Sequence, residues 1–543
     1  MPSAPDLTRG IRAMRDRNWA LAHQAFAEAD RVAQLPVEDL ERMASVAYLV
    51  GEDDQHGALL ERAHAAHRER GNDVAAARCA FWIALMQLFR GEAGHAAGWL
   101  ARAQRLLGER DCVEQGYLML PAAERQLRQD QARAAITTAT RAAAIGDRFG
   151  DRDLVALAQH LHGRALLHQG RMERGLTQLD EVMVAVTTGE LSPIVTGLLY
   201  CSVIDACQRA WALDRSGEWT SALAQWCDAQ PGLVAFTSAC LVRRSEILQL
   251  RGAWPEALRE AQRACERVAH LAERRPPAAA LYQQAEVHRL RGNFDEAEAI
   301  YGNASAGGWD PQPGLALMRL AQGRTDAAVQ AITRALAAAA GPAERSRLLP
   351  AQVEILLAAG DIPASRQAVK ELEEIASAFG APALDTLATH LRGQVQLAEG
   401  RAITAVASLR RAWQAWDALG ACWLAARART LIGQACTALG DHDGAALEFR
   451  AAREMFERLG AAPDIERLDA LTREQDTGAG HPLSARELEV IRLLASGKTN
   501  RAIASQLAIS DRTVARHVSN IFTKLGISTR AAAAAWAWQH GLT

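Results

Sequence analysis

Ten glycines set a rhythm that few folds can accommodate. Gly51, Gly91, Gly170, Gly217, Gly252, Gly292, Gly323, Gly360, Gly400 and Gly440 each close an apolar helical pattern and precede another. Their steps are 40, 79, 47, 35, 40, 31, 37, 40 and 40 residues; the 79 divides into two units with Asp130 near the absent glycine, and an earlier unit turns near Asn18 and Trp19. The surrounding text repeats as well: Gly217-Glu-Trp-Thr-Ser-Ala, Gly252-Ala-Trp-Pro-Glu-Ala, Gly292-Asn-Phe-Asp-Glu-Ala and Gly440-Asp-His-Asp-Gly-Ala. Each element has a physical job. Glycine supplies the left-handed residue that ends a helix. A bulky side chain two residues later fills the gap between helices, and the alanine five residues after the glycine lets two helices cross closely. Pro255 and Pro363 fall in a first helical turn, where no N–H is needed. Helical hairpins of this kind bury their apolar faces only by stacking, so the expected fold class is an all-α solenoid.

The turn Gly-x-aromatic-x-Glu-Ala resembles that of tetratricopeptide repeats, here lengthened to a period near 40. HEAT-type pairs share the period, and the turn favours the tetratricopeptide form. At 543 residues the chain exceeds a single core. The expected division is a helical-repeat sensor or interaction domain over 1–473, a linker at 474–480 and a separate domain over 481–543. Thr187 to Pro193 predicts a loop insertion and a sub-boundary near 187–193; Pro276-Pro277 and Gly307 to Pro313 mark other long turns.

Charge separates the parts. Residues 481–543 carry eight Lys/Arg against three acids, a net +5, whereas the remainder carries 53 basic and 60 acidic residues, a net −7. A basic end on an acidic body is the pattern of a nucleic-acid contact confined to one module. In that module Ser484 and Glu487 form a capping box for a first helix that Gly497 stops. A second helix spans Thr499 to Leu507, and Ala508-Ile509-Ser510 makes a tight turn. Ser510 caps a third helix, Asp511 to Lys524. Val514, Val518, Ile521 and Leu525 share one face of it and are expected to be buried; Arg512, Arg516, Ser519 and Thr523 share the other. A fourth helix runs from about Thr529 to His540, capped by Ser528 and followed by Gly541.

The runs Leu483-Ser-Ala-Arg-Glu-Leu-Glu-Val-Ile, Gly497-Lys-Thr-Asn-Arg-Ala-Ile-Ala and Leu507 through Gly526 resemble the LuxR/NarL-type four-helix DNA-binding domain, without gaps. The resemblance implies base reading by Ala515, Arg516 and Ser519. It implies phosphate contacts from Asn500, Ser510, Arg512, Thr513, His517 and Lys524. Two positions depart from the family: Ala515 stands where it usually has Lys, and Ala502 where it usually has Glu. Base reading therefore shifts toward Arg516, which can donate two hydrogen bonds to guanine O6 and N7. The fourth helix either supplies a dimer contact, as often in the family, or packs against the first.

Combined with the repeats, this end resembles MalT-like regulators without their nucleotide-binding domain. Gly497-Lys498-Thr499 is not a phosphate loop, because Arg492 stands where the first glycine is required and no strand precedes it. No catalytic constellation, cofactor fingerprint or metal motif is present. His64 with His67, and His160 with His162, are expected to be ordinary helical histidines. The nine cysteines, none in a Cys-x-x-Cys, fit buried helix thiols better than a redox switch or metal site. The tryptophans Trp211, Trp219 and Trp226, and Trp413, Trp416 and Trp423, fit solenoid core better than a ligand pocket. With neither signal peptide nor membrane span, a cytoplasmic, nucleoid-associated protein is expected; three lysines among 61 basic residues suggest a high-GC bacterial genome. The expected function is a non-enzymatic transcription regulator that binds double-stranded DNA as a homodimer. Its repeats would sense a small molecule, peptide or protein, and a contact with RNA polymerase is compatible. The rival is an interaction scaffold in which DNA binding is secondary or absent.

Overall fold

The computed structural model describes residues 4–269, 277–339, 341–477, 483, 485–507 and 509–542. Among these every regular element is a helix, 29 in all, and none is long and apolar enough to cross a membrane. Ser484, Ala508 and residues 478–480 of the expected linker lie outside the described residues. The helix Ala462–Thr477 continues through the linker's first four positions.

The glycine rhythm is a rhythm of turns. Gly51, Gly91, Gly170, Gly252, Gly292, Gly323, Gly360, Gly400 and Gly440 all have φ between 74° and 87°, and Asp130 (58°) and Arg17 (55°) fill the positions that lack glycine. Beside Arg17, Asn18 caps the next helix by accepting the Leu21 N–H at 3.2 Å. A second series lies midway between turns of the first, Gly71, Gly150, Gly380 and Gly420, with Gly460 following Gly440 by the same 20 residues, all at φ 60–71°. Where both series are present, a repeat is two helices of similar length joined by similar turns, whereas the helix Gly314–Ala321 has only 8 residues.

Gly217 breaks the expectation, because it lies inside the helix Leu213–Asp228. The turn is made by Trp211 at φ 57°. Left-handed backbone is unfavourable for a bulky residue, and here a tertiary contact holds it: the Trp211 indole N–H donates to Ser346 Oγ at 2.9 Å. With Trp211 as the turn, the step from Gly170 becomes 41 residues and the period is restored. The residue five after each turn confirms the register. Ala22, Ala96, Ala135, Ala257, Ala297, Ala328, Ala405 and Ala445 are fully buried, and so is Ser216, five after Trp211. Residues 187–193 form the turn between helices Met172–Thr187 and Pro193–Arg209, with Gly189 at φ 76°.

The chain divides into two compact units, one comprising 1–289 with 293–388 and the other 290–292 with 389–543. Within the first, the segment after Asp228 returns to the opening hairpin. Trp19 N–H donates to Pro231 O at 3.0 Å and its indole N–H to Gln230 Oε1 at 3.1 Å, while Val234 and Ala235 N–H groups both donate to Leu49 O. The stacked hairpins from residue 13 to 240 therefore share one continuous apolar core, and they line a partly open cavity of about 330 Å³. Gly232 sits at this seam with φ 82°, and a Cβ there would lie 2.6 Å from the Ala20 backbone nitrogen. Gly232→Ala is expected to destabilise the seam by about 1–3 kcal/mol through strain, read as lowered amide hydrogen-exchange protection of the helix Trp19–Val32; unchanged protection would remove the seam from the account of stability.

In the second unit the last repeats precede four short helices: Ala485–Ala495, Asn500–Leu507, Asp511–Leu525 and Arg530–Gln539. These have their own core of Leu483, Val490, Ile491, Leu494, Ile503, Ala504, Val514, Ile521, Ala533 and Ala537. Gly497, Gly526 and Gly541 end helices at φ 64–81°. Thr499 caps the second helix through Ala502 N–H. The cap of the fourth helix is Thr529, which accepts the Ala532 N–H at 3.1 Å, and not Ser528. The two hydroxyl residues are adjacent, and the extended backbone at Thr529 aims its oxygen at the first turn.

Candidate nucleic-acid interface

The third helix of this domain is built as an outward-facing wedge. Ser510, in extended conformation, accepts the Thr513 N–H at 3.1 Å and shares a 2.7 Å hydrogen bond with the Thr513 hydroxyl. Asp511 places negative charge at the positive end of the helix dipole. Val514 and Ile521 are fully buried behind it, with Val518 and Leu525 half-buried beside them. Opposite, Arg512, Ala515, Arg516, Ser519 and Thr523 are all exposed, the Arg516 side chain by 68%. Apolar packing on one side fixes the rotation of the helix, so this row of guanidinium, methyl and hydroxyl groups has a defined orientation.

The residues matched to phosphate contacts are less uniform. Asn500 Oδ1 accepts a 2.8 Å hydrogen bond from Arg530, whose guanidinium also reaches the Lys498 carbonyl. That clamp orients the Asn500 amide. Lys524 is tied at 2.8 Å to Glu487, whose side chain is only 3% exposed. His517 is half-buried, and burial first of all pushes its pKa below the ordinary value. In the free chain the ring is therefore biased toward its neutral form. Ser510 and Thr513 spend a hydroxyl contact on each other, leaving Arg512 as the plainly exposed cation of the set.

Three residues that sequence reasoning passed over belong to this region. Asn520, four positions from Arg516 on the same helix, donates from Nδ2 to Asp443 Oδ2 at 2.6 Å. The Arg516 guanidinium lies 3.8 Å from the same carboxylate. Asp443 is in the first turn of the last repeat's helix His442–Leu459, next to the capping Asp441. Arg530 is the third, as the clamp on Asn500. The only sequence signal for Asn520 was its helical offset from Arg516; nothing marked Asp443, which is 77 residues from Asn520.

The fourth helix packs Ala533 and Ala537 into the domain core beside the first helix. Ala531, Ala535 and Trp538 remain on its exposed side, Trp538 by 67%. Elsewhere the expected roles hold at His160 and Trp416, whereas His64 Nε2 and His67 Nδ1 are buried with no hydrogen-bond partner among the described residues. His64 Nδ1 bonds the Ala76 carbonyl oxygen at 2.8 Å, His160 Nε2 bonds Ser202 at 2.6 Å, and Trp416 is fully buried.

Residues 481–537 match the family described as bacterial regulatory proteins, luxR family. Similar proteins include the Fimbriae Z protein of Salmonella typhimurium, 43% identical over 65 residues, 11% of this chain and 31% of that protein. The transcriptional regulatory protein LiaR of Bacillus subtilis is 45% identical over 60 residues, 11% of this chain and 28% of its own length. The response regulator protein VraR of Staphylococcus aureus is equally similar, with 29% of its length covered. The chain thus spans less than a third of the length of these relatives. Across the repeats, a chain from the crystal structure of the APC/C hetero-tetramer Cut9-Hcn1 aligns over 85% of this chain and 95% of its own, at 12% identity and a TM-score of 0.34. With the wedge geometry and the match in register, the carboxyl-terminal four-helix unit is a luxR-family helix-turn-helix domain, carried behind an all-α array of helical hairpins.

Proposed function

We propose that this chain is a DNA-binding transcription regulator whose repeat region controls the helix-turn-helix. The single observation that carries the reading is the exposed row Arg512, Ala515, Arg516, Ser519 and Thr523 on a helix locked from behind. Such a helix enters a major groove, with Arg516 on a guanine, Ser519 beside it and Ala515 against a thymine methyl. Asn500, Ser510, Arg512, Thr513, His517 and Lys524 hold the flanking phosphates. The exposed Trp538 and the small side chains around it suit a homodimer contact, placing two recognition helices on two half-sites. The working division is 1–473, 474–480 and 481–543.

The test is recovery and sequencing of genomic fragments bound by the full chain, followed by anisotropy titrations on one of them across salt concentrations. A shared motif and a log–log salt slope of several units are expected. Absence of both would favour the interaction scaffold.

Control by the repeats is supported by the Asp443 carboxylate beside Asn520 and Arg516. A carboxylate there competes with DNA for the same donors. Because the ion pair is largely exposed, its effect is modest, about 0.2–1 kcal/mol. Asp443→Ala is expected to tighten operator binding by about twofold to fivefold, measured by anisotropy at low salt; weaker binding would contradict competition.

A further inference from the structure

The cavity of the first unit has a chemical feature on its wall. Glu41, His67 and Cys79 come from three successive helices, Val37–Leu49, Asp53–Glu69 and Asp73–Phe89. Their carboxylate oxygen, imidazole nitrogen and sulfur all lie within 4.8 Å of one another. Glu41 Oε1 is 2.9 Å from His67 Nε2 and 3.5 Å from Cys79 Sγ. We propose that these three side chains form a binding site for a thiophilic divalent cation of the zinc class, open on its fourth side to the cavity.

Three observations carry this beyond a hydrogen-bonded cluster. First, zinc bond lengths to sulfur, nitrogen and oxygen put tetrahedral neighbours about 3.5 Å apart for S and O and about 3.3 Å apart for N and O. The cluster already has the first separation and needs to open by only a few tenths of an ångström for the second. Second, two of the three donors are buried and preorganised: Cys79 is 2% exposed and the His67 side chain 7%, on helices fixed by the hairpin core, while the Glu41 side chain is 36% exposed. Third, one carboxylate oxygen, Glu41 Oε1, is shared by the imidazole Nε2 and the thiol, so the three donor atoms already converge.

Glu41 and Cys79 line the cavity together with Trp19, Trp82 and Tyr117. The fourth ligand is therefore water or one donor atom of a small molecule in that space, the arrangement of an open rather than a closed zinc site. Binding releases the Cys79 thiol proton and moves the imidazole proton from Nε2 to Nδ1; no electron is transferred. The proposal does not depend on DNA binding, since its readout is the metal itself.

The test uses the full chain, stripped with a chelator and titrated with Co2+ alone. One equivalent is expected to produce a thiolate-to-cobalt charge-transfer band and the strong visible bands of four-coordinate Co2+, both bleached by one equivalent of Zn2+. Cys79→Ser should abolish the charge-transfer band, and His67→Gln should weaken Co2+ binding by more than the roughly 10–100-fold typical of an outer-shell loss. Cys207→Ser, at another buried cysteine, should leave the spectrum intact. If Cys79→Ser does not fold, Glu41→Gln is read instead, and cobalt affinity equal to the parent's overturns the site. So does a parent spectrum without a thiolate band, or one that survives Cys79→Ser.

Discussion

Arg516→Ala is expected to abolish preference at one base pair of each half-site, a loss of about 1–3 kcal/mol or roughly 5-fold to 150-fold in relative affinity. The argument is geometric. The Arg516 side chain stands on the face opposite Val514 and Ile521, and its neighbour Ala515 has only a methyl group to offer. Directional readout at that point of the groove therefore falls on a single guanidinium. A guanidinium that reads a base differs measurably from one that holds a phosphate. Loss of the reader flattens the ranking of operator variants, while loss of a phosphate contact weakens all sequences alike and lowers the salt slope. Arg512→Ala supplies that second pattern as the internal comparison. Competition titrations of a set of single-base operator variants against each protein separate the two. Equal losses on specific and random duplex for Arg516→Ala would sink the assignment.

The second large effect concerns acid stability of the repeats. His160 is buried, 6% exposed, between Ser202 and the Leu157 carbonyl, and burial, aided by the neighbouring Arg164 cation, depresses its pKa to about 3. The folded ring thus stays neutral where an unfolded one, near 6.5, takes up a proton. With the folded value below the unfolded one, this contribution is complete above about pH 6.5 and is lost as pH falls toward 3. At about 1.36 kcal/mol per unit, the loss reaches about 5 kcal/mol at the acid end of that window. Because a chain of two units does not unfold as a single two-state system, the measurement is local: amide hydrogen exchange of the helix Arg152–His168 from pH 7 to pH 4, corrected for intrinsic rates. Protection should fall with pH in the parent. His160→Gln should lower protection at pH 7 and flatten the dependence; equal pH slopes in both proteins would contradict burial of a neutral ring.

Much of the fold was legible because its turns have a backbone requirement. Positive φ selects glycine, so a turn repeated every 40 residues writes itself into the chain, and even Asp130 and the vicinity of Asn18 could be placed from the rhythm alone. The wedge was legible for a similar reason: a helical period of aliphatic residues behind a period of arginine and hydroxyl residues leaves one way to orient a short helix. Where the reading slipped, a longer-range force had decided. Trp211 occupies a turn that the text around Gly217 assigns to glycine, because its indole N–H is held by Ser346, 135 residues away. Thr529 caps the last helix in place of Ser528 because the backbone after Gly526 aims its oxygen, which neighbouring hydroxyl residues cannot reveal.

The sequence by itself determined the all-α hairpin array, the separate basic wedge and the face that wedge presents, since each follows from local periodicity and backbone preference. Only the tertiary structure decided that Asp443 meets Asn520 and Arg516, that Arg530 clamps Asn500, and that Glu41, His67 and Cys79 converge beside a cavity. Those pairings join residues from different helices, and their energy comes from charge and polar satisfaction in a shared environment. No window of sequence contains that environment, because stacking the hairpins is what creates it.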